Sequence, residues 1–323
     1  MRDLQGRSIE YVRVSITDKC NLRCLYCMPE SGVGYIPHGE LLSFQEIRRA
    51  VACMAGLGIH AVRLTGGEPM ARRGCLELVS MLKRTPGIDR VTMTSNGILL
   101  RGRVAEAVAA GLDALNLSVD SLSPEVYARM TRGGNLADAL STLHEALACG
   151  LSVRLNVVPV RGLNEDDLCA LAGLARTLSV DVRFIELMPV GRGGAFEPVP
   201  MDEVRGRIED AFGPLKPDDA PRGLGPAVYC KPEGFTGSLG FIAAISHAFC
   251  EGCNRVRLTP EGRLKLCLNR VAGPDLRALM RGGCTDAQLT EAVRSAILEK
   301  PARHGFDEPI PDRDPRGMNR IGG

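Results

Sequence analysis

Six of the twelve cysteines fall into two triads near opposite ends of the chain. Cys20, Cys24 and Cys27 stand in CNLRCLYC, and Cys250, Cys253 and Cys267 span FCEGCNRVRL and RLKLC. Four thiolates close a structural zinc site, and no fourth cysteine lies near the first triad. Three thiolates suit a 4Fe–4S cube, because one iron is then left open for an outside ligand. For the second triad a zinc ribbon stays open as an alternative, with Cys230, Cys284 or His247 as the fourth ligand. The other cysteines (Cys53, Cys75, Cys149, Cys169, Cys230 and Cys284) are scattered, several on helical faces, and read most simply as small core hydrophobes.

A second kind of chemistry is written in arginine. Arg13, Arg63, Arg154 and Arg183 each interrupt an otherwise apolar strand pattern. A buried guanidinium without a partner is expensive, so each needs an internal carboxylate or an anionic ligand. Four of them facing one cavity would favour an anion. Only six of the forty basic residues are lysine, so planar forks suited to phosphate dominate the supply of positive charge.

The elements that must position these groups alternate. Strand-like runs at 11–17, 60–69, 90–97, 114–121, 152–160 and 180–188 are separated by helical patterns at 44–58, 75–84, 103–111, 124–130, 136–150 and 166–178, and a further helix closes the series at 201–213. Six βα units of roughly 30–35 residues predict a parallel sheet with crossover helices. Six are too few for a closed eightfold barrel, so the fold class expected is α/β with a partial (β/α)6 barrel; a doubly wound open sheet is the alternative. Polar and glycine-containing groups follow the strands (TDKC, TGGEP, TSNG, SVDS, ELMPVGRGG), at the edge where βα loops converge. The rhythm changes at KPDDAPRGLGP, 216–226, which reads as a linker. Two domains are therefore expected, a barrel over 1–215 and a smaller α+β unit over 216–323 carrying the second triad. The last twenty residues show little periodicity and are expected to be extended or flexible.

An apolar fraction of 45% and a net charge of +2 give no reason to expect a nucleic-acid or membrane-surface partner. No apolar run approaches the roughly 20 residues that span a bilayer. MRDLQGRSIE lacks the apolar core of a signal peptide, so a cytoplasmic location with reduced cysteines is expected.

With these residues in view, CNLRCLYC resembles the C-x3-C-x2-C motif of radical S-adenosylmethionine enzymes, with Tyr26 just before the third cysteine. TGGEP, 65–69, is similar to that family's cofactor-binding turn. The C-x2-C-x13-C triad followed by Arg255 and Arg257 narrows the resemblance to GTP 3′,8-cyclases of molybdenum cofactor biosynthesis. It runs nearly end to end through LTGGEPMARR, TSNGILL, LNLSVDSL, LNVVPVRGLN, VRFIELMPVG and the final IGG.

The resemblance implies a lyase with two 4Fe–4S clusters. The open iron of the first chelates S-adenosylmethionine, whose reductive cleavage gives a 5′-deoxyadenosyl radical. That radical takes hydrogen from ribose C3′ of GTP, and the substrate radical closes on purine C8. The open iron of the second cluster meets the guanine. By the same resemblance Tyr26, Gly66, Gly67, Glu68, Ser118 and Met188 contact S-adenosylmethionine. Arg13, Arg63, Thr94, Arg154, Arg183, Arg255 and Arg257 contact GTP, and Gly322 and Gly323 reach back to assist the radical step. The family often has lysine at the Arg154 position and a further basic residue where Ala61 stands here. Implied partners are cyclic pyranopterin monophosphate synthase downstream and an electron donor such as flavodoxin or ferredoxin; a homodimer is compatible with the resemblance. Two rivals stand beside this reading: another radical enzyme with an auxiliary cluster, such as a peptide-modifying maturase, and a zinc-stabilised binding module without catalysis.

Overall fold

The structure is a computed structural model, described for residues 1–323 except 221, 307, 309 and 323. Six parallel strands form its centre: β1 (Tyr11–Ser15), β2 (Ala61–Thr65), β3 (Arg90–Ser95), β4 (Ala114–Ser118), β5 (Ser152–Val157) and β6 (Val180–Ile185). Each pairs in parallel with the next. The crossovers are α1 (Phe44–Ala55), α2 (Cys75–Lys83), α3 (Val104–Ala109), α4 (Pro124–Thr131), α5 (Leu136–Ala148) and α6 (Leu168–Thr177), and α7 (Met201–Phe212) follows β6.

The helices form where the sequence punctuates them. Ser43 and Glu46 close a reciprocal capping box at the start of α1, and Ile47, Ala50, Val51 and Met54 then recur on one buried face. On the strands, outward residues such as Val12, Val14, Val62, Leu64, Leu115, Leu117, Leu155 and Phe184 are buried under these helices. The inward positions are polar. Register aligns Arg13 with Arg63 and Arg63 with Thr92, and it aligns Thr94, Asn116, Arg154 and Asp181 in a second row. A strand set with an apolar outside and a polar inside encloses a site rather than a dry core.

The sheet curves. A flat arrangement would hold β1 and β6 apart with four strands between them, yet Arg13, Thr65, Thr94, Ser118, Asn156 and Ile185, one from each strand, line one cavity. β1 and β6 do not pair with each other, so the barrel stays open, as expected of a partial (β/α)6 fold.

Both free edges continue through the C-terminal third. β7 (Lys216–Pro217), β8 (Val228–Lys231) and β9 (Leu239–Ile242) extend the β6 side, β9 running parallel to β6. β10 (Arg255–Leu258) runs parallel to β1, with β11 (Leu264–Lys265) outside it. One eleven-stranded sheet thus carries residues from both stretches that composition separates. Helices α8 (Leu276–Arg281) and α9 (Asp286–Leu298) pack beside α1. The end of the chain differs from the expected extended tail: Met318–Ile321 forms a helical turn, α10, whose Asn319 and Ile321 are buried. Met318 and Ile321 stand three apart, too short a pattern to read as periodic. No helix among the described residues is long and apolar enough to cross a membrane.

Candidate active site

The first triad sits in the loop after β1, fastened from two sides. The amides of Arg23 and Leu25 donate to the Thr131 and Met130 carbonyls at the end of α4, at 3.1 and 2.9 Å. Arg132 donates to the carbonyls of Arg23 and Met28 at 2.9 and 3.0 Å. On the other side the loop after β2 lies against Thr17–Lys19: Gly67 N–H donates to Thr17 O at 2.7 Å and Glu68 N–H to Lys19 O at 2.8 Å. A Cβ on Gly67 would fall 2.4 Å from the Lys19 carbonyl oxygen, so only glycine permits this approach. The Glu68 carboxylate accepts from Ser95 Oγ and from the amides of Asn96 and Met70. It therefore ties the cysteine loop to the end of β3.

Cys20, Cys24 and Cys27 line a cavity of about 230 Å³ with Tyr26, Gly66, Gly67, Glu68, Thr94, Ser118, Asp120, Met188 and Asn319. All the residues expected to contact S-adenosylmethionine are brought together here. Burial pushes the Cys20 thiol up to about 11, reinforced by Glu68, and the Cys27 thiol up to about 12, reinforced by Cys20. Cys24 is raised as well, by burial and then by Cys27. Among the described residues, no group of three or more His, Cys, Asp or Glu side chains is arranged to hold a metal ion. A mononuclear zinc site demands that closure. A 4Fe–4S cube does not, since its cysteines bind different irons, and its positive iron would hold as thiolates three sulfurs that the protein alone keeps protonated. The residues fit the cluster.

The second triad opens on an adjoining cavity of about 130 Å³, lined by Cys250, Cys253, Cys267, Arg13, Arg63, Arg183, Arg255, Arg257, Phe249 and Lys300. Arg13, Asn156, Ile185 and Met188 line both cavities, so the two triads face one divided space. Lys300 and Arg255 overcome the effect of burial at Cys253 and bring its thiol down to about 7. The proposed fourth ligands lie elsewhere. Cys230 is buried on β8 beside Arg205, His247 is exposed near Asp202, and Cys284 precedes α9 with its carbonyl held by Arg49. Among the described residues, none of the three lines the cavity of the second triad.

The arginines respond to one another. Burial, then Arg257, lowers Arg13; burial, then Arg255, lowers Arg257 to about 10. Arg63 and Arg183 are lowered by burial as well. Arg183 donates to Asn156 and Asn116 oxygens, which orient the fork without neutralising it. Arg154 departs from the rest. It does not line the second cavity; its Nη2 donates to the Arg222 carbonyl at 2.8 Å, and its Nε stands 3.9 Å from Asp181. Thr94 lines the first cavity, and its buried hydroxyl has no partner among the described residues.

Gly322 takes φ +82°, which favours glycine, and its would-be Cβ meets Thr65 and Ser15 at 3.0 and 3.1 Å. Arg257 donates to its carbonyl. The tail therefore enters the barrel interior between β1 and β2; Gly323 lies outside the described residues. Sequence reasoning missed several lining residues. Asp120 accepts the Tyr26 hydroxyl at 2.6 Å and the Val158 amide at 2.8 Å. Asn156 bridges the two cavities, and Lys300 and Asn319 come from the C-terminal third. Asp120 stands two residues after Ser118 in SVDS and could have been read from that spacing; Lys300 and Asn319 carry no local signal.

Comparison with known proteins places the chain. Residues 14–175 match the radical SAM superfamily, and residues 180–306 match Molybdenum Cofactor Synthesis C. GTP 3′,8-cyclase of Pelotomaculum thermopropionicum is 44% identical, and that of Clostridium perfringens (strain SM101) 42%, each over the whole of both chains. Among solved structures, Streptococcus suis SuiB bound to S-adenosylmethionine aligns with a TM-score of 0.62 at 13% identity, covering 93% of this chain and 74% of that one, a likeness of fold alone. The chain belongs to the GTP 3′,8-cyclase family of the radical SAM superfamily.

Proposed function

We propose that this enzyme converts GTP to (8S)-3′,8-cyclo-7,8-dihydroguanosine 5′-triphosphate, the first step of molybdenum cofactor biosynthesis, using S-adenosylmethionine and two 4Fe–4S clusters. The observation that carries the reading is the divided cavity: a cysteine triad at each end, with Arg13, Asn156, Ile185 and Met188 on both parts. One part suits a cofactor and the other a polyanionic nucleotide.

The bound clusters and S-adenosylmethionine supply radical chemistry that abstracts hydrogen at ribose C3′ and joins that carbon to purine C8. The chain's own task is to hold and to exclude. GTP carries about four negative charges near neutral pH, and Arg13, Arg63, Arg183, Arg255 and Arg257 offer forked donors to its phosphates. The like charges of these arginines repel one another, and a polyphosphate among them offsets that repulsion. Thr94 lies on the first side of the cavity, and Arg154 faces inward one position below Asn156 on β5, outside the lining. Tyr26, Gly66, Gly67, Glu68, Ser118 and Met188 form the cofactor wall. By the resemblance Gly322 and Gly323 assist the radical step, and Gly322 is seated against Ser15 and Thr65 with its carbonyl accepting from Arg257. Cys250, Cys253 and Cys267 would hold the second cluster against the guanine.

The reading extends to a division at 215/216, a cytoplasmic location, reduction by a flavodoxin- or ferredoxin-like donor and delivery of product to cyclic pyranopterin monophosphate synthase. The test is anaerobic turnover of reconstituted protein with dithionite. GTP should accelerate 5′-deoxyadenosine formation and yield the cyclised nucleotide. Equal rates with and without GTP would overturn the assignment.

A further inference from the structure

The end of the chain is set in place before it reaches the barrel. Residues 312–314 run antiparallel to 269–271: the Val271 amide donates to Asp312 O and the Asp314 amide to Asn269 O, each at 2.9 Å. Arg270 Nη1 meets the Asp312 carboxylate at 2.8 Å. Asp314 places its own carboxylate on Lys265 of β11, in an ion pair whose side chains are 1% and 0% exposed. Arg316 joins the Asp314 carboxylate at 2.8 Å and reaches Glu261 at 3.6 Å. Asp314 thus straddles Cys267, its amide bonded two residues after that cysteine and its carboxylate two residues before it.

Past Asp314 the contacts that seat the tail are backbone or apolar. The Asn319 amide donates to the Cys27 sulfur, Arg320 donates to Gly34 O, and Ile321 is wholly buried. Apolar burial is non-directional and holds register weakly. A buried ion pair adds little net stability over an apolar pair of the same volume, but it accepts one partner and so can fix register. A slip that put Asp312 on Lys265 would carry the chain end about 7 Å along its path. The seat of Gly322 does not admit that movement. A Cβ there would meet Thr65 and Ser15 at 3.0 and 3.1 Å, and its carbonyl accepts from Arg257. Arg257 is the register partner of Lys265 across β10 and β11. One pair of strands therefore holds the tail twice, at Asp314 and at Gly322.

We infer that Asp314 and Lys265 are positioning residues for the radical step: their buried ion pair sets the register of the tail and with it the place of the glycine end in the barrel. This rests on the reading above that Gly322 and Gly323 assist that step. Neither Asp314 nor Lys265 lines either cavity, so both act through the tail rather than on substrate.

The test compares anaerobically reconstituted holoenzymes. Asp314→Asn removes the charge and keeps an oxygen for the Arg316 amide, 3.0 Å away in the parent. Hydrogen exchange at the Arg320 and Gly322 amides, which donate to Gly317 O and Met318 O, should quicken about tenfold. Loosening confined to residue 314 would leave those two amides unchanged. Iron content and GTP affinity should match the parent, while kcat for cyclised product falls about 10- to 100-fold. The double variant Lys265→Met, Asp314→Asn leaves no unpaired cation behind and should show the same fast exchange. Parental exchange at 320 and 322 in either variant overturns the inference. Fast exchange with parental kcat would uphold seating by the ion pair and refute the assigned role of the glycine end instead.

Discussion

The two cysteine triads offer the same three sulfurs and sit in opposite electrostatic fields. Around Cys20, Cys24 and Cys27 carboxylates outweigh the one cation: Glu68 acts on Cys20 more strongly than Arg23 does, and Asp120 acts on Cys24 and Cys27. Around Cys253 they are Lys300 and Arg255, with Arg257 lining the same cavity. A site bounded by carboxyl groups welcomes a ligand with cationic centres, such as a sulfonium and an ammonium. A site bounded by guanidinium groups welcomes a polyphosphate. Ligand count alone does not tell a triad facing a cofactor from one facing a substrate; on the proposed reading the second layer of charge does.

The sharpest way to break this comparison is to remove one sulfur from each side. On the proposed reading the first cluster is the one that meets S-adenosylmethionine, so Cys24→Ala should abolish 5′-deoxyadenosine formation altogether. Cys253→Ala should retain slow, GTP-independent 5′-deoxyadenosine release and lose cyclised product. Iron content should fall by about four per chain in each variant. Mass spectrometry of the nucleotide pool and iron analysis check both, and equal loss of 5′-deoxyadenosine in the two variants would erase the division of labour.

A milder break acts on the cations. Arg257→Ala removes a buried fork from the nucleotide side and the donor to Gly322, and should weaken GTP binding about 10- to 100-fold. Arg154 faces inward one position below the cavity-lining Asn156 on β5, held by the Arg222 carbonyl and facing Asp181. Arg154→Lys keeps the charge and loses the fork, and should change GTP affinity by less than about threefold. Titrating GTP by calorimetry on anaerobic protein separates the two; a large effect at Arg154 would return it to the cavity.

Much of this was legible in the chain because the barrel writes its inside and outside on alternate residues. Arg13, Arg63, Arg154 and Arg183 stood out as polar positions in apolar strands, and all are inward-facing positions of β1, β2, β5 and β6. The cysteine spacings and the post-strand glycines marked the edge of the site. What stayed hidden depends on contacts far apart in sequence. Nothing in RVRL says that β10 pairs with β1, or in GFI that β9 pairs with β6. Nothing in MNRI says that Asn319 meets Cys27, since a four-residue turn has no period to read. The outward half of a strand is set by local alternation, whereas the seat of a tail is set by whichever surface it finds.

The smallest effect expected is also the most direct check on the field around the first triad. Burial raises Asp120 to about 6 and Glu68 to about 7, above the ordinary values of 3.8 and 4.5. In metal-free protein the folded state therefore binds these protons more tightly than the unfolded chain. Over that interval the native state carries more protons, so stability falls as pH rises from about 4 through 7 and levels off above it. The depressed carboxyls Glu46, Glu203 and Asp218, each held near 2 by arginine partners, act in the opposite sense and overlap only the acid end of this window, losing their contribution as pH falls from about 5 toward 2; both proteins compared below share them. Asp120→Asn keeps an oxygen for the Val158 amide and lets the Tyr26 hydroxyl turn to accept, while removing the charge. Thermal melts of the two metal-free proteins between pH 4.5 and 7.5 should show the parent losing more melting temperature than the variant. Parallel slopes would mean that Asp120 does not titrate there, and that the first triad faces a weaker negative field than its neighbours imply.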